Sequence, residues 1–416
     1  MERNPPLRPS EEIPEDGGAP GVEDLQAALR PAWVDVDLAA LEHNLAAIRR
    51  RIAETSRHPA QVMAVVKADA YGHGAVGVSR VLESAGVDWL GVALLEEGAE
   101  IRRAGVTVPI LVLGTARPEK LALYTRYRLT PTLSSLAELV RWRDWTAGQS
   151  IPQGFHLKVD TGMGRLGVAM EEVPQALEIL RASPKLRLAG LLSHFGDADV
   201  PESPRNLFQE ENFAAVLGLL TPEEREGILV HMANSAAALH RPESRYALVR
   251  IGIAVYGLDP IPEEGGTPLT PVMSVRARIV HLKEVPAGTA LSYGGRTVTR
   301  RRSRIAVVPV GYADGYAWRL TGKAEALARG RRVPVAGSVT MDMTLLDVTD
   351  AGAELGEEVV LLGRQDGEEI TAAELAAHAG TISWEILCHL GLRLPRRYVR
   401  EGRVEELMSR FSREDT

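Results

Sequence analysis

The sequence predicts an α/β protein with an N-terminal (β/α)8 barrel of the TIM type, followed by a mostly β C-terminal domain. Two observations favour this fold class. From about residue 61 to 256, eight short apolar runs alternate with stretches whose apolar residues recur every three to four positions. After residue 260 apolar and polar residues alternate more strictly, with turn residues at short intervals. The 416 residues are enough for two domains with separate cores.

The eight apolar runs are the predicted barrel strands. They are QVMAVVKA (61–68), WLGVA (89–93), PILVLG (109–114), LTPTL (129–133), GFHLKVDTG (154–162), LAGLLSHF (188–195), ILVHMANSA (228–236) and YALVRIGIAVYG (246–257). The stretches between them, such as GVSRVLESAG and MEEVPQALEILRAS, have the periodicity of amphipathic helices. Eight strands that alternate with helices predict a parallel barrel. A doubly wound open sheet is the alternative, but no GxGxxG motif follows the first run.

The C-terminal segment is predicted to consist mainly of strands. Its strand-like stretches are PVMSVRARIVHLKEVPAG, RIAVVPVGYADG, RRVPVAGSVTMDMTLLDVT and EEVVLLGR. A helical segment, TAAELAAHAGTISWEILCHL, begins with Thr371 as the predicted N-cap and Glu374 three residues later. We place the boundary near Pro268. This gives a flexible tail over residues 1–30, a barrel over 31–267 and a β domain over 268–416.

Composition and charge exclude several classes of function. The net charge of −7 provides no electrostatic basis for nucleic-acid binding, and no basic run indicates a membrane surface. No apolar run reaches the ~18 residues of a membrane span, and the acidic, Pro- and Gly-rich N-terminus lacks the apolar centre of a signal peptide. The single cysteine, Cys388, excludes an intramolecular disulfide framework and is interpreted as a packing residue. We therefore expect a cytoplasmic protein.

Polar residues stand at the ends of the predicted strands, where barrels of this type place their active sites. They are Lys67, Lys158, Asp160, Arg165, His194, Asn234, Ser235 and Arg250. Each of them alone has a structural interpretation, such as a helix cap for Asn234 or a surface ion pair for an arginine. Because five strand ends direct polar groups to one face of a barrel, a functional site is the better interpretation.

These residue types suit one cofactor. A lysine in an apolar and cationic neighbourhood loses its proton more easily, as an amine must to form a Schiff base. Ser235 and the amides of Gly252 and Ile253 follow strands seven and eight, where barrels commonly bind phosphate. Arg250 adds a permanent positive charge. The set predicts pyridoxal 5'-phosphate as the cofactor, with the arginine facing the pyridine nitrogen; no metal site is expected.

Nine motifs, in order along the chain, resemble those of the bacterial alanine racemases. They are VVKADAYGHGA, LKVDTGMGRLG, SHF-x-x-AD, HMANSAA, VRIGIAVYGL, LSYGG, GYADGY, MDM and TISWEILCHLGLR-x-P-R. The resemblance extends from WVDVDLAALEHN at Trp33 to Tyr398, which is nearly all of the chain except the tail. It implies a pyridoxal-phosphate enzyme with this two-domain plan that acts as a head-to-tail homodimer.

The resemblance also implies roles for individual residues. Lys67 would carry the cofactor as an internal aldimine, and Tyr293, in LSYGG, would be a second catalytic base supplied by the other subunit. The implied cofactor ligands, besides Lys67, are Tyr71, His194, Asn234, Ser235, Arg250, Gly252, Ile253 and Trp384. The implied substrate-binding residues are Arg165, Lys158, which in this family is often carboxylated by CO2, and Met341 and Asp342 of the other subunit.

Racemisation itself requires two bases. A proton leaves the Cα of the amino acid on one face and another returns on the opposite face, so a proton-transferring group must stand on each side. A free tyrosine has a pKa of ~10, so its use as a base requires nearby positive charge or hydrogen bonds. Arg250 and His194 are the candidates for that tuning.

Three places depart from the family pattern. Trp384 replaces a tyrosine, Ala317 and Trp318 replace the Pro-Arg that commonly follows GYADGY, and Ser338 replaces an arginine. By resemblance they lie along the channel through which the substrate arrives. Both neutral drift and an altered side-chain specificity remain open.

We expect an enzyme that interconverts L- and D-alanine and so supplies D-alanine for peptidoglycan. The nearest alternative is a broader amino-acid racemase that acts on Ser, Lys or Arg. A non-catalytic pyridoxal-phosphate carrier would have no use for Tyr293. A decarboxylase with the same two domains would be expected to have a catalytic cysteine in its C-terminal domain.

Overall fold

The structure, a computed structural model, describes residues 30–56, 59–149, 153–262 and 266–409. The predicted flexible tail lies outside the described residues, apart from Arg30. Within the described ranges, no helix has both the length and the apolar character that crossing a membrane requires.

After a first strand, β1 (Ala32–Asp37), eight parallel strands form the barrel. They are β2 (Gln61–Val65), β3 (Trp89–Val92), β4 (Ile110–Thr115), β5 (Thr130–Leu133), β6 (Gln153–Lys158), β7 (Leu186–Leu192), β8 (Leu229–His231) and β9 (Leu248–Ile251). Their order is β8-β7-β6-β5-β4-β3-β2-β9, and the Arg250 N–H donates to the Ala233 carbonyl at 3.0 Å between the two ends of that order. Each of the eight predicted runs overlaps one of these strands, so the barrel prediction is confirmed.

Helices alternate with the barrel strands, as the apolar periodicity predicted. They are α1 (Leu38–Thr55), α2 (Ala75–Ser84), α3 (Leu95–Arg103), α4 (Leu121–Arg126), α5 (Leu136–Ala147), α6 (Val173–Arg181), α7 (Pro204–Gly218), α8 (Pro222–Glu226) and α9 (Ser235–His240). Side-chain caps fix several starts: the Asp37 carboxylate accepts the Ala40 N–H at 3.0 Å, and the Ser135 hydroxyl accepts the Glu138 N–H at 3.2 Å.

The remaining strands belong to the C-terminal part of the chain. They are β10 (Met273–Arg278), β11 (His281–Val285), β12 (Ala290–Leu291), β13 (Thr297–Val298), β14 (Ser303–Val308), β15 (Glu325–Ala328), β16 (Arg331–Pro334), β17 (Thr344–Asp347), β18 (Glu358–Gln365), β19 (Glu368–Ile370), β20 (Arg396–Arg400) and β21 (Arg403–Met408). The larger sheet has the order β16-β15-β18-β10-β1-β20-β21, with β19 paired to β18. Smaller sheets are β11-β14-β17 and β12-β13. The predicted β character of this domain is confirmed.

The predicted helical segment of this domain forms two helices, α10 (Ala372–Ala379) and α11 (Ser383–His389). Thr371 caps the first as predicted, since its hydroxyl accepts the Glu374 N–H at 3.0 Å. Gly380, with φ of +70°, ends α10 in the left-handed conformation.

β1 joins the C-terminal sheet and not the barrel. Val34 pairs with Val275 of β10 in antiparallel register and with Arg396 of β20 in parallel register. The sequence analysis placed residues 31–267 in the barrel, so the first of these residues contribute to the other domain. One buried apolar cluster then continues from the barrel into the larger C-terminal sheet, from Leu41 and Val78 to Val275 and Leu361. The full set of domain boundaries stays a prediction.

Candidate active site

A cavity of about 650 Å³ lies at the C-terminal ends of the barrel strands. Eleven predicted site residues line it: Lys67, Tyr71, Lys158, Arg165, His194, Asn234, Ser235, Arg250, Gly252, Ile253 and Trp384. The predicted site residues Asp160, Tyr293, Met341 and Asp342 do not contribute to its wall. The structure therefore brings together the groups that follow barrel strands and leaves the predicted second base outside.

Lys67 reaches this cavity because an unusual turn follows β2. Ala68, Asp69, Ala70 and Tyr71 all have φ between +52° and +54°, a left-handed conformation that non-glycine residues rarely adopt. The Glu97 carboxylate holds the start of this left-handed turn by accepting the Ala68 N–H at 2.7 Å. The Asp69 carboxylate holds its end by accepting the Ala75 N–H, also at 2.7 Å. The turn places both Lys67 and Tyr71 at the cavity.

The surroundings of Lys67 favour its neutral amine. Burial lowers the pKa of Lys67, and the positive charges of Arg165 and Arg250 act in the same direction. A neutral lysine amine is the nucleophile that Schiff base formation needs and is also a proton acceptor.

Hydrogen-bond donors gather where phosphate binding was predicted. The Ser235 hydroxyl accepts the Gly252 N–H at 2.9 Å, so the loop after β8 is joined to the loop after β9. A side chain at Gly252 would meet the Tyr71 hydroxyl, since an ideal Cβ there would lie 2.5 Å from that oxygen. Ile253 begins a 3-10 turn, whose first N–H groups have no acceptor within the turn. Asn234 caps α9 by accepting the Ala237 N–H at 3.1 Å, so the structural interpretation of this residue also holds.

Arg250 is buried, and both terminal nitrogens of its guanidinium are hydrogen-bonded within the barrel. One terminal nitrogen donates to the carbonyl oxygen of Ser193 at 2.7 Å, to that of Met232 at 2.9 Å and to Nδ1 of His194 at 2.9 Å. The other donates to Nδ1 of His231 at 2.8 Å. Burial lowers the pKa of Arg250 to about 9, which still leaves the guanidinium charged at neutral pH.

These bonds fix the hydrogens on three histidines. An arginine can only donate, so Nδ1 of His194 and Nδ1 of His231 must be acceptors and their Nε2 atoms carry the hydrogen. Nε2 of His231 lies 2.8 Å from Nδ1 of His156, which is therefore an acceptor as well. Burial, with the charge of Arg250, lowers the pKa of His156 to about 3 and that of His231 well below its ordinary value. A chain of neutral imidazoles thus extends from Arg250 into the barrel interior.

The predicted carboxylate-binding arginine sits on a loop that Asp160 organises. The Asp160 carboxylate accepts the N–H groups of Gly162, Met163, Gly164 and Arg165 at 2.9–3.1 Å. Although burial alone would raise the pKa of Asp160, these four donors lower it. Lys158, two residues earlier, is buried at the end of β6. Burial and the charges of Arg250 and Arg165 lower the pKa of Lys158 to about 8.

The C-terminal domain closes the cavity with α11. Trp384 and Cys388 of this helix line the wall. Cys388 is exposed and faces the same cavity as Lys67, so its interpretation as a packing residue is wrong. Cys388 follows the buried Leu387 in an apolar helix, so the sequence suggested that it was buried too. The sequence does not show which side of α11 faces the barrel.

Arg396 ties α11 to the left-handed turn. Its buried guanidinium donates to the carbonyl oxygen of Gly72 at 2.9 Å and to that of Leu390 at 2.6 Å. Gly72 itself approaches α11 so closely that an added Cβ would lie 2.3 Å from the Leu387 oxygen. The position of Lys67 therefore depends on the C-terminal domain.

Tyr293 lies on an exposed surface of the C-terminal domain, with 77% of its area accessible. We call this surface the Tyr293 face; its exposed members are Tyr293, Tyr312, Trp318, Met341 and Met343. Tyr312 N–H donates to the Thr340 carbonyl at 2.9 Å, which joins the GYADGY and MDM segments. Asp342 is paired with Arg393 at 2.7 Å.

Two of the departures from the family pattern support this face, and the third lines the cavity. The buried Ser338 hydroxyl donates to the Tyr293 carbonyl at 3.0 Å, and Ser292 donates to the Ser338 carbonyl at 2.9 Å. The Arg296 guanidinium lies 5.1 Å from the Trp318 ring centroid. Trp384 alone of the three lines the cavity described above.

The sequence analysis missed several residues that position the site. Glu97, His231, His156 and Arg396 act through backbone amides, imidazoles or carbonyl oxygens of segments remote in sequence. The HMANSAA motif contained His231, and its position inside a strand was the available signal. No local pattern marked Glu97, which lies in the first turn of α3, where acidic residues are common in any helix.

Comparison with known proteins gives the family. A family model described as "Alanine racemase, N-terminal domain" matches residues 36–260, and one described as "Alanine racemase, C-terminal domain" matches residues 272–398. The chain belongs to the alanine racemase family. It is an enzyme of that family, an isomerase of the amino-acid racemase class. The resemblance predicted from the motifs is confirmed.

Individual alanine racemases are similar over most of their length. That of Synechocystis sp. is 42% identical over 370 residues, which cover 88% of this chain and 98% of that protein. That of Symbiobacterium thermophilum is 43% identical over 374 residues, with 89% and 97% covered.

Solved alanine racemases share the fold. The structure from Bacillus anthracis with bound L-Ala-P has a TM-score of 0.83 and 36% identity, covering 92% of this chain and 98% of that one. The structure from Bartonella henselae with covalently bound pyridoxal phosphate has a TM-score of 0.80 and 29% identity, covering 89% and 99%.

Proposed function

We propose that this chain interconverts L-alanine and D-alanine with pyridoxal phosphate and two bases, Lys67 and Tyr293, and so supplies D-alanine for peptidoglycan in the cytoplasm. The observation that carries the proposal is the composition of the barrel cavity. It holds a lysine whose pKa is lowered, two arginines, and hydroxyl and amide groups that would bind a phosphate. The only tyrosine among its described lining residues is the buried Tyr71. Tyr293 lies outside the cavity of its own chain, so as the second base it would come from a second copy.

The cavity fits pyridoxal phosphate. Its volume of about 650 Å³ is within the range of sites for small molecules. Only glycine at 252 leaves room beside the Tyr71 hydroxyl, where a Cβ would otherwise intrude. The Tyr71 and Ser235 hydroxyls and the Ile253 amide would hold the phosphate, together with the Gly252 amide, whose hydrogen would be shared with the Ser235 hydroxyl. Lys67 would hold the aldehyde carbon through its amine. When bound, this cofactor withdraws electrons from Cα of the amino acid and so acidifies its proton.

Arg250 would determine the protonation state of the pyridine nitrogen. A guanidinium has donors only, so the ring nitrogen it faces must be an acceptor without a proton. The carbonyl oxygens of Ser193 and Met232 and the acceptors on His194 and His231 hold Arg250 in place. The neutral imidazoles of His194, His231 and His156 would therefore orient Arg250 without adding a positive charge beside its guanidinium.

Arg165 and Lys158 would bind the substrate carboxylate. Arg165 is presented by the Asp160 loop at the cavity and offers the forked donors that carboxylates favour. Lys158, once carboxylated by CO2, becomes an anion that steadies the Arg165 guanidinium. The depressed pKa of Lys158, about 8, supports this because only a neutral amine reacts with CO2.

Lys67 and Tyr293 would transfer protons at opposite faces of Cα. Lys67 is fixed on the barrel side by the left-handed turn. Tyr293, Met341 and Asp342 would approach from a partner copy, in a homodimer whose sites are shared. The exposure of five apolar side chains on the Tyr293 face supports this, because such a surface is typical of a protein interface.

The direct experiment measures L-alanine to D-alanine turnover and the absorption band of enzyme-bound pyridoxal phosphate. We expect a coloured, active wild-type protein, and a coloured Tyr293→Phe variant that is about 10²–10⁴-fold slower because it lacks one proton-transferring group. Colourless protein, or no turnover of any amino acid, would refute the proposal.

Mixing two inactive variants tests the shared site. Lys67→Ala and Tyr293→Phe subunits, unfolded together and refolded, form heterodimers in which one of two sites has both native bases. If Tyr293 acts in the partner's site, activity should return to about a quarter of wild type from random pairing. If it acts in its own subunit, every site lacks one base and no activity returns.

A broader racemase is the second candidate, supported by Trp384 in the cavity wall. An indole is larger than the phenol of the family pattern and reshapes the space near the substrate. Initial rates with L-Ala, L-Ser, L-Lys and L-Arg separate the two proposals. A preference for alanine over the other three by less than about tenfold in kcat/KM would favour the broader enzyme.

A further inference from the structure

Four side chains of alternating charge form a chain that ends at Asp342, next to Met341 of the Tyr293 face. The Arg30 guanidinium donates to both oxygens of the Asp314 carboxylate, at 2.6 Å and 2.9 Å. Nε of Arg393 lies 3.4 Å from the same carboxylate, and a terminal nitrogen of Arg393 donates to the Asp342 carboxylate at 2.7 Å. We call Arg30, Asp314, Arg393 and Asp342 the charge chain.

The two carboxylates of the charge chain differ in burial. The Asp314 side chain has no accessible surface, whereas 52% of the Asp342 side chain is accessible. A buried carboxylate is strongly unfavourable unless cations and hydrogen-bond donors surround it. The Gly311 N–H donates to Asp314 at 3.0 Å. Among the described residues, the cations that pair with Asp314 are Arg30 and Arg393, so both are needed to balance its charge.

The turn that contains Asp314 lies directly against the loop that contains Met341 and Asp342. The Ala313 N–H donates to the Met341 carbonyl at 3.0 Å. A Cβ at Gly311, which begins this turn, would lie 2.4 Å from the Met341 carbonyl oxygen. The turn therefore fixes the backbone of the Met341–Asp342 loop, and the charge chain fixes the carboxylate that the loop carries.

Arg30 is itself held by the backbone of the larger C-terminal sheet. The Ala32 N–H of β1 donates to the Arg30 carbonyl at 2.7 Å, and the Arg278 N–H of β10 donates to the Pro31 carbonyl at 2.8 Å. The Arg30 guanidinium also contacts the Pro309 carbonyl. A residue 284 positions away in sequence is thus placed rigidly beside Asp314.

We propose that Arg30 is a positioning residue for the partner's active site. Because Arg30 balances the buried charge of Asp314, Arg393 keeps its short contact with Asp342. Without Arg30, the Asp314 carboxylate would draw Arg393 to itself, and Asp342 would lose the cation that orients it. This inference rests on the proposed function, in which Met341 and Asp342 bind the substrate in the partner's site.

Crystal structures test the first step without turnover. In Arg30→Gln, purified with its cofactor, we expect Arg393 to approach Asp314 and the distance from Arg393 to Asp342 to exceed about 4 Å. Arg181→Gln is the matched control. Arg181 also binds a carboxylate through two nitrogens, with Glu224 at 2.8 Å and 2.9 Å, but this pair is exposed and lies on the barrel. An Arg30→Gln structure in which Arg393 stays bound to Asp342 would overturn the proposal.

Steady-state kinetics test the consequence for the substrate. Arg30→Gln should raise the KM for L-alanine about fivefold and change kcat less than about twofold, because the displaced loop weakens binding of the carboxylate and leaves both bases in place. Arg30→Lys keeps the positive charge and should restore most of the affinity. Arg181→Gln should have the KM of wild type. An unchanged KM in Arg30→Gln would refute the positioning role.

Mixed dimers show in which site Arg30 acts. In heterodimers of Lys67→Ala and Tyr293→Phe subunits, the site with both native bases takes Tyr293, and with it the Asp342 loop, from the Lys67→Ala subunit. Arg30→Gln added to the Lys67→Ala subunit should raise the KM about fivefold. The same substitution in the Tyr293→Phe subunit should leave the KM of the parent heterodimer unchanged.

The mixed dimers also separate this proposal from the racemase proposal. A rise in KM that is equal in the two arrangements would show a general loss of structure and would overturn the positioning role of Arg30. Absence of turnover in wild type and in the parent heterodimer would refute the racemase proposal, and with it the role of Arg30 in substrate binding. Turnover with the same KM in both arrangements and in the parent heterodimer would refute the role of Arg30 alone.

Discussion

The Glu97 carboxylate fixes the backbone directly after Lys67. Its two oxygens accept the Ala68 N–H at 2.7 Å, the Ala93 N–H at 2.7 Å and the Leu94 N–H at 3.0 Å. It thereby joins the left-handed turn after β2 to the start of α3. The four consecutive positive-φ residues of that turn persist because side chains such as this one satisfy their amides.

Glu97→Gln should destabilise the protein by about 2 kcal/mol, because a neutral amide replaces a charged acceptor and turns an NH2 group toward backbone N–H donors. Urea unfolding measures the free energy. Glu96→Gln is the control: Glu96 is an exposed partner of Lys120, so its loss should cost well under about 1 kcal/mol. Equal effects of the two substitutions would contradict this account of Glu97.

Lys158 should make activity depend on CO2. Since only its neutral amine forms a carbamate, and burial lowers its pKa to about 8, the gain from added bicarbonate should develop around pH 8 and be lost at lower pH. In CO2-free buffer we expect a higher KM for L-alanine, restored by bicarbonate. Lys158→Gln should not respond, whereas Lys185→Gln, at an exposed lysine, should respond as wild type does. A bicarbonate effect in Lys158→Gln would exclude this lysine as its source.

At the scale of single residues, the sequence predicted which residues line the cavity but not the hydrogen bonds that hold them there. Lys67, Lys158 and Arg250 were found because each follows a barrel strand, and such positions converge in space. Cys388 was misinterpreted because α11 has apolar neighbours on several sides, so its orientation toward the barrel was not readable.

Among the elements, the left-handed turn and α11 are in close backbone contact. Gly72 has φ of +82°, and a Cβ there would lie 2.3 Å from the Leu387 carbonyl oxygen. The Arg396 guanidinium donates to Gly72 and Leu390, on the two sides of the same contact. A displacement of the left-handed turn therefore requires a displacement of α11.

Gly72→Ala should destabilise the protein by several kcal/mol and abolish activity, because the methyl group forces the turn away from α11. Gly105→Ala is the matched control. Gly105 also has a positive φ, of +90°, but nothing lies within 4 Å of its Cβ position. Its substitution should cost only the conformational strain of about 1 kcal/mol and leave activity intact. Thermal or urea unfolding and turnover assays compare the two variants. Similar losses of stability and activity in both variants would show that the contact between Gly72 and α11 does not contribute to either.

At the scale of elements, alternation of apolar runs and amphipathic stretches predicted all eight barrel strands. The same reasoning failed for β1, whose sequence AWVDVD suits either sheet. Its pairing with β10 and β20 joins segments more than 200 positions apart, and no local periodicity specifies that choice.

Several neutral histidines are buried in the folded molecule, and they make its free energy of unfolding depend on pH. Burial lowers the pKa of His73 to about 4, of His156 to about 3 and of His231 well below its ordinary value. In the unfolded chain each titrates near ~6.5. Between that value and the folded values, the unfolded state binds more protons, so stability falls as pH falls.

From pH 6.5 to 5 we expect the free energy of unfolding to decrease by about 5 kcal/mol through these three histidines. Urea unfolding at several pH values gives the slope, which reports the number of protons taken up. His73→Phe should reduce the slope by about one proton. A stability that stays constant over this range would show that these imidazoles are already protonated in the folded protein.

By itself, the sequence determined the fold class, the position of Lys67 and the set of polar groups around the barrel mouth. It did so because position along a barrel strand dictates position in space, and because apolar periodicity distinguishes strand from helix. Tertiary structure alone decided the orientation of Arg250 by His231 and His156, and the anchoring of Gly72 by Arg396 across 324 positions. It also decided that Tyr293 faces outward, away from its own cavity. These features depend on which remote surfaces pack together, a property of the folded chain and of no local stretch.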